Sequence, residues 1–307
     1  MRRRHKNLNQ VVFNVVGLLV VVSMVAGGLL VTLFPPSERR PSTTTTRPAT
    51  AIPTFTPTVT ATPIGDPVAT PIPLGGKDEE SFTFAVCGDS QGGNAVYREI
   101  LRRVEKDGVA FLVHTGNLVP SGQAGQFQAF AELMSDFSLP FFPVPGNQDS
   151  HEGRLDEFLQ YSGAPAAHYS FDYGLGHFVI TDSHLGELSP LELAWLESDL
   201  VSTDQPLKVV FLHHPPIDAG GPGDILRQGS DAFAALMFKY GVSHVFAGHI
   251  HAYTEATWDD VHYVVTGGAG APLDTEEHLQ AFHHYVLVTV NGADISTKVI
   301  KVEPSGQ

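Results

Sequence analysis

The amino-acid sequence predicts an α/β domain over residues 77–307, built as a four-layer α/β/β/α sandwich of two mixed sheets. From residue 82 onwards, strand-like apolar runs alternate with amphipathic helical runs, which is typical of βαβ units. The last part of the chain is rich in strands that indicate hairpins. Five of the strand-like runs end in polar loops, and sheets of this kind place their sites at the ends of strands.

The first half of the domain supplies three strands and three helices. FTFAVCGD at 82–89 is the first strand, and the helix at 94–108 ends in a glycine cap. In the helix at 124–137 the aromatic residues fall on one stripe, which indicates a face packed into the core. The other elements are a strand at 109–117, a strand at 140–149 and a short helix at 154–163.

The second half contains a hairpin, two helices and further strands. Its best-defined helix begins after Ser189 as N-cap, with Pro190 at the first position and Glu192 at the third. The elements are a hairpin at 168–174 and 176–184, the helix at 189–201, a buried strand at 207–216, a helix near 230–240, a strand-like run at 242–253 and strands in EATW, VHYVVTGG, HHYVLVTV and DISTKVIKV.

An uncharged apolar segment lies near the start of the chain. Residues 11–34 are mostly Val and Leu, and as a helix they would span about 36 Å, enough for a bilayer core. Four basic residues precede it: Arg2, Arg3, Arg4 and Lys6. We therefore predict a transmembrane signal anchor in the cell membrane, with residues 1–10 cytoplasmic and the domain extracytoplasmic. The alternative is a cleaved signal peptide and secretion, but the run exceeds a typical apolar core of ~7–15 residues.

A segment of biased composition connects this anchor to the domain. Residues 35–76 contain 11 Thr and 10 Pro among 42 residues. Such a segment buries too little apolar surface to offset its chain entropy, and its prolines favour extended conformations. We predict a disordered Pro/Thr-rich stalk.

Charge and cysteine content exclude some classes of partner. Residues 77–307 carry 11 basic against 31 acidic residues, which argues against nucleic acid as a partner. Cys87 is the single cysteine, so it forms no internal disulfide, and its place in a strand predicts a small buried side chain.

Five loops that follow strand-like runs contain side chains able to bind metal. They are Gly88-Asp89-Ser90-Gln91, Gly116-Asn117, Gly146-Asn147-Gln148-Asp149, His213-His214-Pro215-Pro216 and Gly248-His249-Ile250-His251. One such loop would mean little, because Gly-Asn is an ordinary turn and a lone histidine usually packs in a core. Five in series, brought to one edge by the sheets, predict a metal centre.

These loops resemble the signature of the calcineurin-like metallophosphoesterases, a family that includes purple acid phosphatases and cyclic-nucleotide phosphodiesterases. The family pattern is D-x-H, G-D-x-x, G-N-H-D/E, H-x-P and G-H-x-H, in this order. The resemblance covers roughly residues 82–302 and extends to the flanking SFDYG, SPLELAWLESDL and TGGAGAPL segments. It implies the metallophosphoesterase fold, one or two divalent ions (Mn, Fe or Zn) and hydrolysis of phosphate esters by metal-activated water.

The resemblance also implies roles for individual residues. Asp89 and His251 would bind a first ion, while Asn147, His213 and His249 would bind a second. The family's remaining metal-ligand positions hold Gln91 and Asn117, so both are included among the candidate ligands. The candidate catalytic residues are Gln148, Asn147 and Asp149, the last through a supporting hydrogen bond. His214 matches the outer position of H-x-P and is not expected to bind metal.

Three positions depart from the family pattern, and each holds a neutral amide. Gln91 replaces a ligand histidine, Asn117 replaces the carboxylate shared by both ions, and Gln148 replaces the histidine that protonates the leaving group. Without a bridging carboxylate two dications repel, so the first site should be weak while the second keeps three good ligands. General acid catalysis, worth ~10²–10⁴-fold, should be reduced unless His151 or water substitutes.

Two readings of the function follow. The first is a membrane-anchored phosphoesterase that hydrolyses a phosphorylated small molecule or another phosphoester with a good leaving group. The alternative is a pseudoenzyme or binding module that keeps the fold and a partial metal or phosphate site. A purely structural stalked domain is disfavoured by the retained ligand histidines. The loop at 215–230 is expected to shape the choice of substrate, which the sequence does not name.

Overall fold

Two β-sheets face one another in the computed structural model, which describes residues 80–218, 225–275 and 279–303. The strands are β1 (Ser81–Cys87), β2 (Leu112–His114), β3 (Phe141–Pro143), β4 (Tyr169–Tyr173), β5 (Gly176–Ile180), β6 (Leu207–Phe211), β7 (His244–Ala247), β8 (Tyr253–Trp258), β9 (Val261–Thr266), β10 (His284–Asn291) and β11 (Asp294–Lys301). The helices are α1 (Asn94–Asp107), α2 (Ala124–Met134), α3 (Asp156–Tyr161), α4 (Pro190–Ser202) and α5 (Ser230–Lys239), with a 3₁₀ turn at Asn147–Asp149.

Both sheets are mixed, as the sequence predicts. The first has the order β11-β10-β1-β2-β3, in which β1, β2 and β3 are parallel while β10 and β11 are antiparallel. The second has the order β4-β5-β6-β7-β9-β8, with a parallel centre from β5 to β9 and an antiparallel strand at each edge. Parallel neighbours end at the same edge of a sheet, so the loops after β1, β2 and β3 meet, as do the loops after β6 and β7.

An aromatic core holds the two sheets together. The ring of Phe84 on β1 lies 5.4 Å from Phe178 on β5, 6.4 Å from Phe211 on β6 and 6.5 Å from Phe246 on β7. All four side chains are fully buried. Burying one such side chain stabilises the fold by about 1.5–3 kcal/mol, so the sheets are firmly apposed.

Helices cover the outer faces and complete the layers. Val210 on β6 and Leu212 just after it belong to a second buried cluster, which includes Leu196 of α4 and Phe233 of α5. On the first sheet, Tyr97 of α1 packs edge-on against His114, the last residue of β2, with ring centroids 5.4 Å apart. These contacts form the four-layer arrangement that the sequence predicts.

Helix boundaries agree with the sequence prediction to within about three residues, whereas several strands are shorter, and the strand expected at 207–216 ends at Phe211. The N-cap is confirmed, because the backbone N–H of Glu192 donates to Ser189 Oγ at 3.1 Å, and Cys87 is buried as expected. The strand expected at 109–117 is reduced to β2, and that expected at 140–149 to β3 and the 3₁₀ turn. Prolines limit β3, because Pro143 and Pro145 have no N–H to donate to a ladder.

The predicted anchor (11–34) and stalk (35–76) lie outside the described residues, so both stay predictions. Within the part of the chain that is described, no helix combines the length and the apolar character needed to cross a bilayer.

Candidate metal centre

The five predicted loops converge at one edge of the two sheets. The first sheet presents Asp89 after β1 and Asn117 after β2, and the second presents His213 after β6. The sheets are joined directly here, because His213 Nδ1 donates to the carbonyl oxygen of Thr115 at 2.8 Å. The structure therefore brings the sequence-predicted residues together.

The backbone of these loops is strained at the predicted ligands. Four of the seven non-glycine residues with positive φ in the described chain are predicted ligands. They are Asp89 (φ 61°), Gln91 (φ 41°), Asn117 (φ 58°) and His249 (φ 72°). This conformation costs on the order of 1–3 kcal/mol per residue and clusters at functional sites, which supports a shared site at this edge.

The position predicted for the second ion has the chemistry that a cation requires. Because His213 Nδ1 donates to Thr115, the neutral ring carries its lone pair on Nε2. That nitrogen lies 2.9 Å from Asn147 Oδ1, so two acceptor atoms face one another. Two ligand atoms about 2.1 Å from one ion and at right angles to each other are separated by about 3 Å. The pair therefore fits a bound divalent ion.

His249 completes this set. Its ring centroid lies 5.2 Å from that of His213, and its backbone N–H donates to Asp89 Oδ2 at 2.8 Å. Burial lowers the pKa of His213 well below its ordinary value, and the neighbouring His214 and His249 lower it further. A neutral imidazole is the form that binds metal, so Asn147, His213 and His249 fit a divalent ion.

The position predicted for the first ion has polar atoms that satisfy one another. Asn117 Nδ2 donates to Asp89 Oδ1 at 2.9 Å, and Asn117 Oδ1 accepts from the backbone N–H of Gln148 at 2.8 Å. The amide thus turns its nitrogen, which is no metal ligand, towards Asp89. Binding an ion through Asn117 Oδ1 would break the hydrogen bond to Gln148. The residues at this position do not fit a second ion as they stand.

His251 belongs to the same internally bonded group. Its Nδ1 donates to the carbonyl oxygen of Pro272 at 2.7 Å, and its Nε2 lies 3.1 Å from Gln91 Nε2 and 3.5 Å from Asp89 Oδ1. Burial alone would lower the pKa of His251, but the bonding and charge of Asp89 outweigh it and raise the pKa to about 8. The side-chain amide of Gln91 can pair with either protonation state of His251. It offers N–H to the neutral ring or, with the amide turned over, oxygen to the protonated ring.

Asp149 holds two of the loops in place. Its carboxylate is fully buried and accepts backbone N–H bonds from Asn117 at 2.8 Å, Gly146 at 2.9 Å and Val119 at 3.1 Å. The loops are tightly apposed, since a Cβ at Gly146 would lie 2.3 Å from the backbone nitrogen of Asn117. The structure thus places Asp149 behind the site, as support for Asn117 and Asn147.

Gln148 is half-buried in the 3₁₀ turn, and His151, the suggested substitute acid, is exposed. The backbone of His151 pairs with that of Arg154 in a short bridge. Neither residue lines the cleft described next.

A cleft of about 280 Å³ opens beside the second metal position. Its lining includes Asn147 and His249 together with His214, which was not expected to bind metal. It also includes His184 and Arg227, which the sequence did not indicate as site residues. His184 is held by Asp182, whose Oδ1 bonds its Nδ1 at 2.8 Å and its backbone N–H at 2.9 Å. Arg227 Nη2 donates to the carbonyl oxygen of Leu185. None of the described lining residues is acidic.

One of these missed residues left a sequence signal. His184 follows strand β5 in TDSH, a sixth strand end with polar side chains. Arg227 lies in the loop expected to shape substrate choice, yet no pattern in the sequence distinguishes it from a surface arginine.

Comparison with known proteins agrees with this geometry. The profile of the calcineurin-like phosphoesterase family matches residues 82–253, more than half of the chain. Two curated relatives are "Probable glycerophosphodiester phosphodiesterase GpdQ" of Arcobacter nitrofigilis, 29% identical over 163 residues (49% of this chain, 59% of that protein), and the 3',5'-cyclic adenosine monophosphate phosphodiesterase CpdA of Escherichia coli, 29% identical over 156 residues (48% and 56%). The alignments thus span less than two thirds of either relative.

A solved structure supports the fold. The purple acid phosphatase PPD1 from yellow lupin (Lupinus luteus) superposes with a TM-score of 0.61 at 19% identity, over 75% of this chain and 52% of that one. The ordered series of five loops, the two apposed sheets and the family match lead to one conclusion. The chain belongs to the calcineurin-like phosphoesterase family.

Proposed function

We propose that this protein hydrolyses small-molecule phosphoesters, and phosphodiesters in particular, with one divalent ion held by Asn147, His213 and His249. The observation that carries the proposal is the 2.9 Å contact between two acceptor atoms, Asn147 Oδ1 and His213 Nε2. An ion bound there would supply Lewis-acid activation of the phosphoryl group and of a water molecule.

The cleft beside these residues suits an anionic ester. The whole chain has a net charge of −15, yet the described lining of the cleft contains Arg227 and no acidic residue. Within such an acidic protein, an exposed arginine at the wall of the cleft gives the phosphate a place of favourable potential. We assign Arg227 to orienting the non-reacting part of the phosphoester.

His184 adds a group that can accept a proton to the same cleft. Burial lowers the pKa of His184, but the hydrogen bond and charge of Asp182 outweigh that and raise it. Its Nε2 lies 3.3 Å from the carbonyl oxygen of Gly153, so both ring nitrogens of the protonated form have acceptors. His184 can therefore hold a proton near the substrate, where Gln148 cannot.

The relatives favour a diester as substrate. Both curated relatives are named as phosphodiesterases, for glycerophosphodiesters and for cyclic adenosine monophosphate. A diester carries a single negative charge, which matches a site with one ion better than a dianionic monoester does.

The test uses the full chain, stripped of metal and reloaded in turn with Mn²⁺, Fe²⁺ and Zn²⁺. We expect metal-dependent hydrolysis of bis(4-nitrophenyl) phosphate that exceeds hydrolysis of 4-nitrophenyl phosphate. His213→Ala should reduce turnover to background, while the matched control His262→Ala, at an exposed strand position, should leave it unchanged. Metal binding without turnover on either ester would overturn the proposed hydrolase activity. It would favour the alternative of a binding module, which the three amides Gln91, Asn117 and Gln148 also support.

We further propose that residues 11–34 anchor the chain in the cell membrane and that residues 35–76 hold the domain outside the cytoplasm. The support is the uncharged run and the basic residues before it. Alkaline extraction of membranes from expressing cells should leave the full chain in the pellet, and deletion of 11–34 should release it. Release of the intact full chain into the soluble fraction would exclude the anchor.

A further inference from the structure

His214 is a buried side chain at the metal position that the family signature leaves unassigned. It is 7% exposed, and its Nδ1 has no hydrogen-bond partner within the described chain. Burying a ring nitrogen without a hydrogen-bond partner destabilises the fold by about 1–3 kcal/mol. A bound metal ion would give this nitrogen a partner.

The imidazole rings of His213, His214 and His249 lie close together at the second metal position. The centroid of the His214 ring lies 4.9 Å from that of His213 and 4.3 Å from that of His249. One ring nitrogen from each of the three residues lies within 4.8 Å of the other two. Nitrogens around a tetrahedral ion lie about 3.4 Å apart, so shortening these separations by at most about 1.4 Å would bring all three into binding distance.

The backbone holds His213 and His214 in register with each other. Both backbone N–H groups donate to Ser183 Oγ, at 3.1 Å and 3.0 Å. The segment is thereby fixed to the loop after β5, and His214 lines the same cleft as His249 and Asn147. The side chain thus faces the place where an ion would sit.

The loss of the shared carboxylate leaves a ligand to be replaced. At the position of that carboxylate, Asn117 Nδ2 donates to Asp89, and Asn117 Oδ1 accepts from the backbone N–H of Gln148. An ion beside Asn147, His213 and His249 therefore lacks the anionic ligand that the family pattern supplies. The imidazole of His214 lies beside His213 and His249 and can take that place.

We propose that His213, His214 and His249 form a three-histidine metal site, in which His214 takes the place of the missing carboxylate. The inference rests on the proposed function, since it concerns the same ion. Three imidazoles favour Zn²⁺ and Co²⁺ over Mn²⁺, and three histidines are a ligand set that catalytic zinc sites use. The site would thus differ from its family in metal preference as well as in ion number.

The test reads the ligand directly with Co²⁺ alone as the probe, in the full chain. His214→Cys should add a thiolate-to-cobalt charge-transfer band in the near ultraviolet at one Co²⁺ per chain. The native thiol does not interfere, because Cys87 is fully buried and burial raises its pKa. His214→Gln should weaken Co²⁺ binding about tenfold or more, and the control His262→Gln should not.

The outcomes separate this inference from the proposed function. The band together with the weakened binding supports the three-histidine site. A missing band, or unchanged Co²⁺ affinity in His214→Gln, overturns it while leaving the proposed function in place, provided His213→Ala still loses the ion. Failure of the unsubstituted chain to bind Co²⁺ or Zn²⁺ overturns both.

Discussion

Two groups of side chains lie side by side at the same sheet edge, and they differ in whether their buried polar atoms have hydrogen-bond partners. The amide cluster consists of Asp89, Gln91, Asn117 and His251, and the histidine cluster consists of Asn147, His213, His214 and His249. In the amide cluster, hydrogen bonds such as that from Asn117 to Asp89 pair the polar atoms internally. In the histidine cluster, acceptors face one another and one buried nitrogen has no partner within the described chain.

The protonation of the histidines shows the same contrast. Burial is offset by Asp89 at His251, whose pKa is raised to about 8, so the amide cluster contains its own cation. In the histidine cluster, burial and the neighbouring His249 lower the pKa of His214 to about 3. Neutral rings such as those of His213 and His214 can bind an external cation, whereas an internal imidazolium repels one. The amide cluster thus keeps its buried polar atoms paired without an ion.

The largest expected effect comes from removing one histidine from each cluster. His213→Ala should weaken metal binding more than about a hundredfold, beyond the loss typical of residues behind the ligands. His251→Ala should change it by less than about threefold, because that ring is not expected to touch the ion. Isothermal titration of the metal-free full chain with Zn²⁺ measures both. Equal losses in the two variants would show that the clusters share the metal and would break the comparison.

A second prediction converts the amide cluster back towards the family pattern. Asn117→Asp with Gln91→His places a carboxylate where the amide now donates to Asp89 at 2.9 Å. Without metal, two carboxylates at that distance repel by an amount on the order of 5 kcal/mol at an effective dielectric constant of 20, so the variant should melt earlier. With metal it should bind two ions per chain and regain stability.

Metal analysis and thermal melts with and without Zn²⁺ check this prediction. Asn117→Gln with Gln91→His serves as the matched control, since it adds the histidine and no charge. One ion per chain in both variants would mean that Asn117 is not the residue that excludes the second ion.

The amino-acid sequence contained enough to predict the sheets, the layers and the five loops. Period-two and helical patterns act over a few residues, so β1, α1 and α4 follow from local chemistry. The order of the loops along the chain, together with the family resemblance, also predicted that Asp89, Asn117 and His213 lie at one edge of the sheets.

The remainder depended on contacts between distant residues. Which way the Asn117 amide turns is decided by Gln148 and Asp89, 31 and 28 residues away in the chain. The convergence of His214 on His249 and the approach of Arg227 to the cleft depend on packing between loops, which no local pattern records. The sequence therefore predicted which residues gather there, and the structure was needed to show which of them remain available to a ligand.

The smallest expected effect concerns the internal cation of the amide cluster. Because Asp89 raises the pKa of His251 from its ordinary 6.5 to about 8, the folded protein binds this proton more tightly than the unfolded chain does. The resulting stability is fully present below pH 6.5 and is lost as the pH rises through about 8. The contribution is at most about 2 kcal/mol, since each pKa unit corresponds to about 1.4 kcal/mol. Urea unfolding of the metal-free chain at pH 6 and pH 9 should show it, and His251→Gln should reduce the difference between the two pH values where the exposed-site control His262→Gln does not. If His251→Gln leaves that difference unchanged, Asp89 does not hold a proton on His251, and the amide cluster is neutralised by hydrogen bonds from Asn117 and the His249 backbone instead.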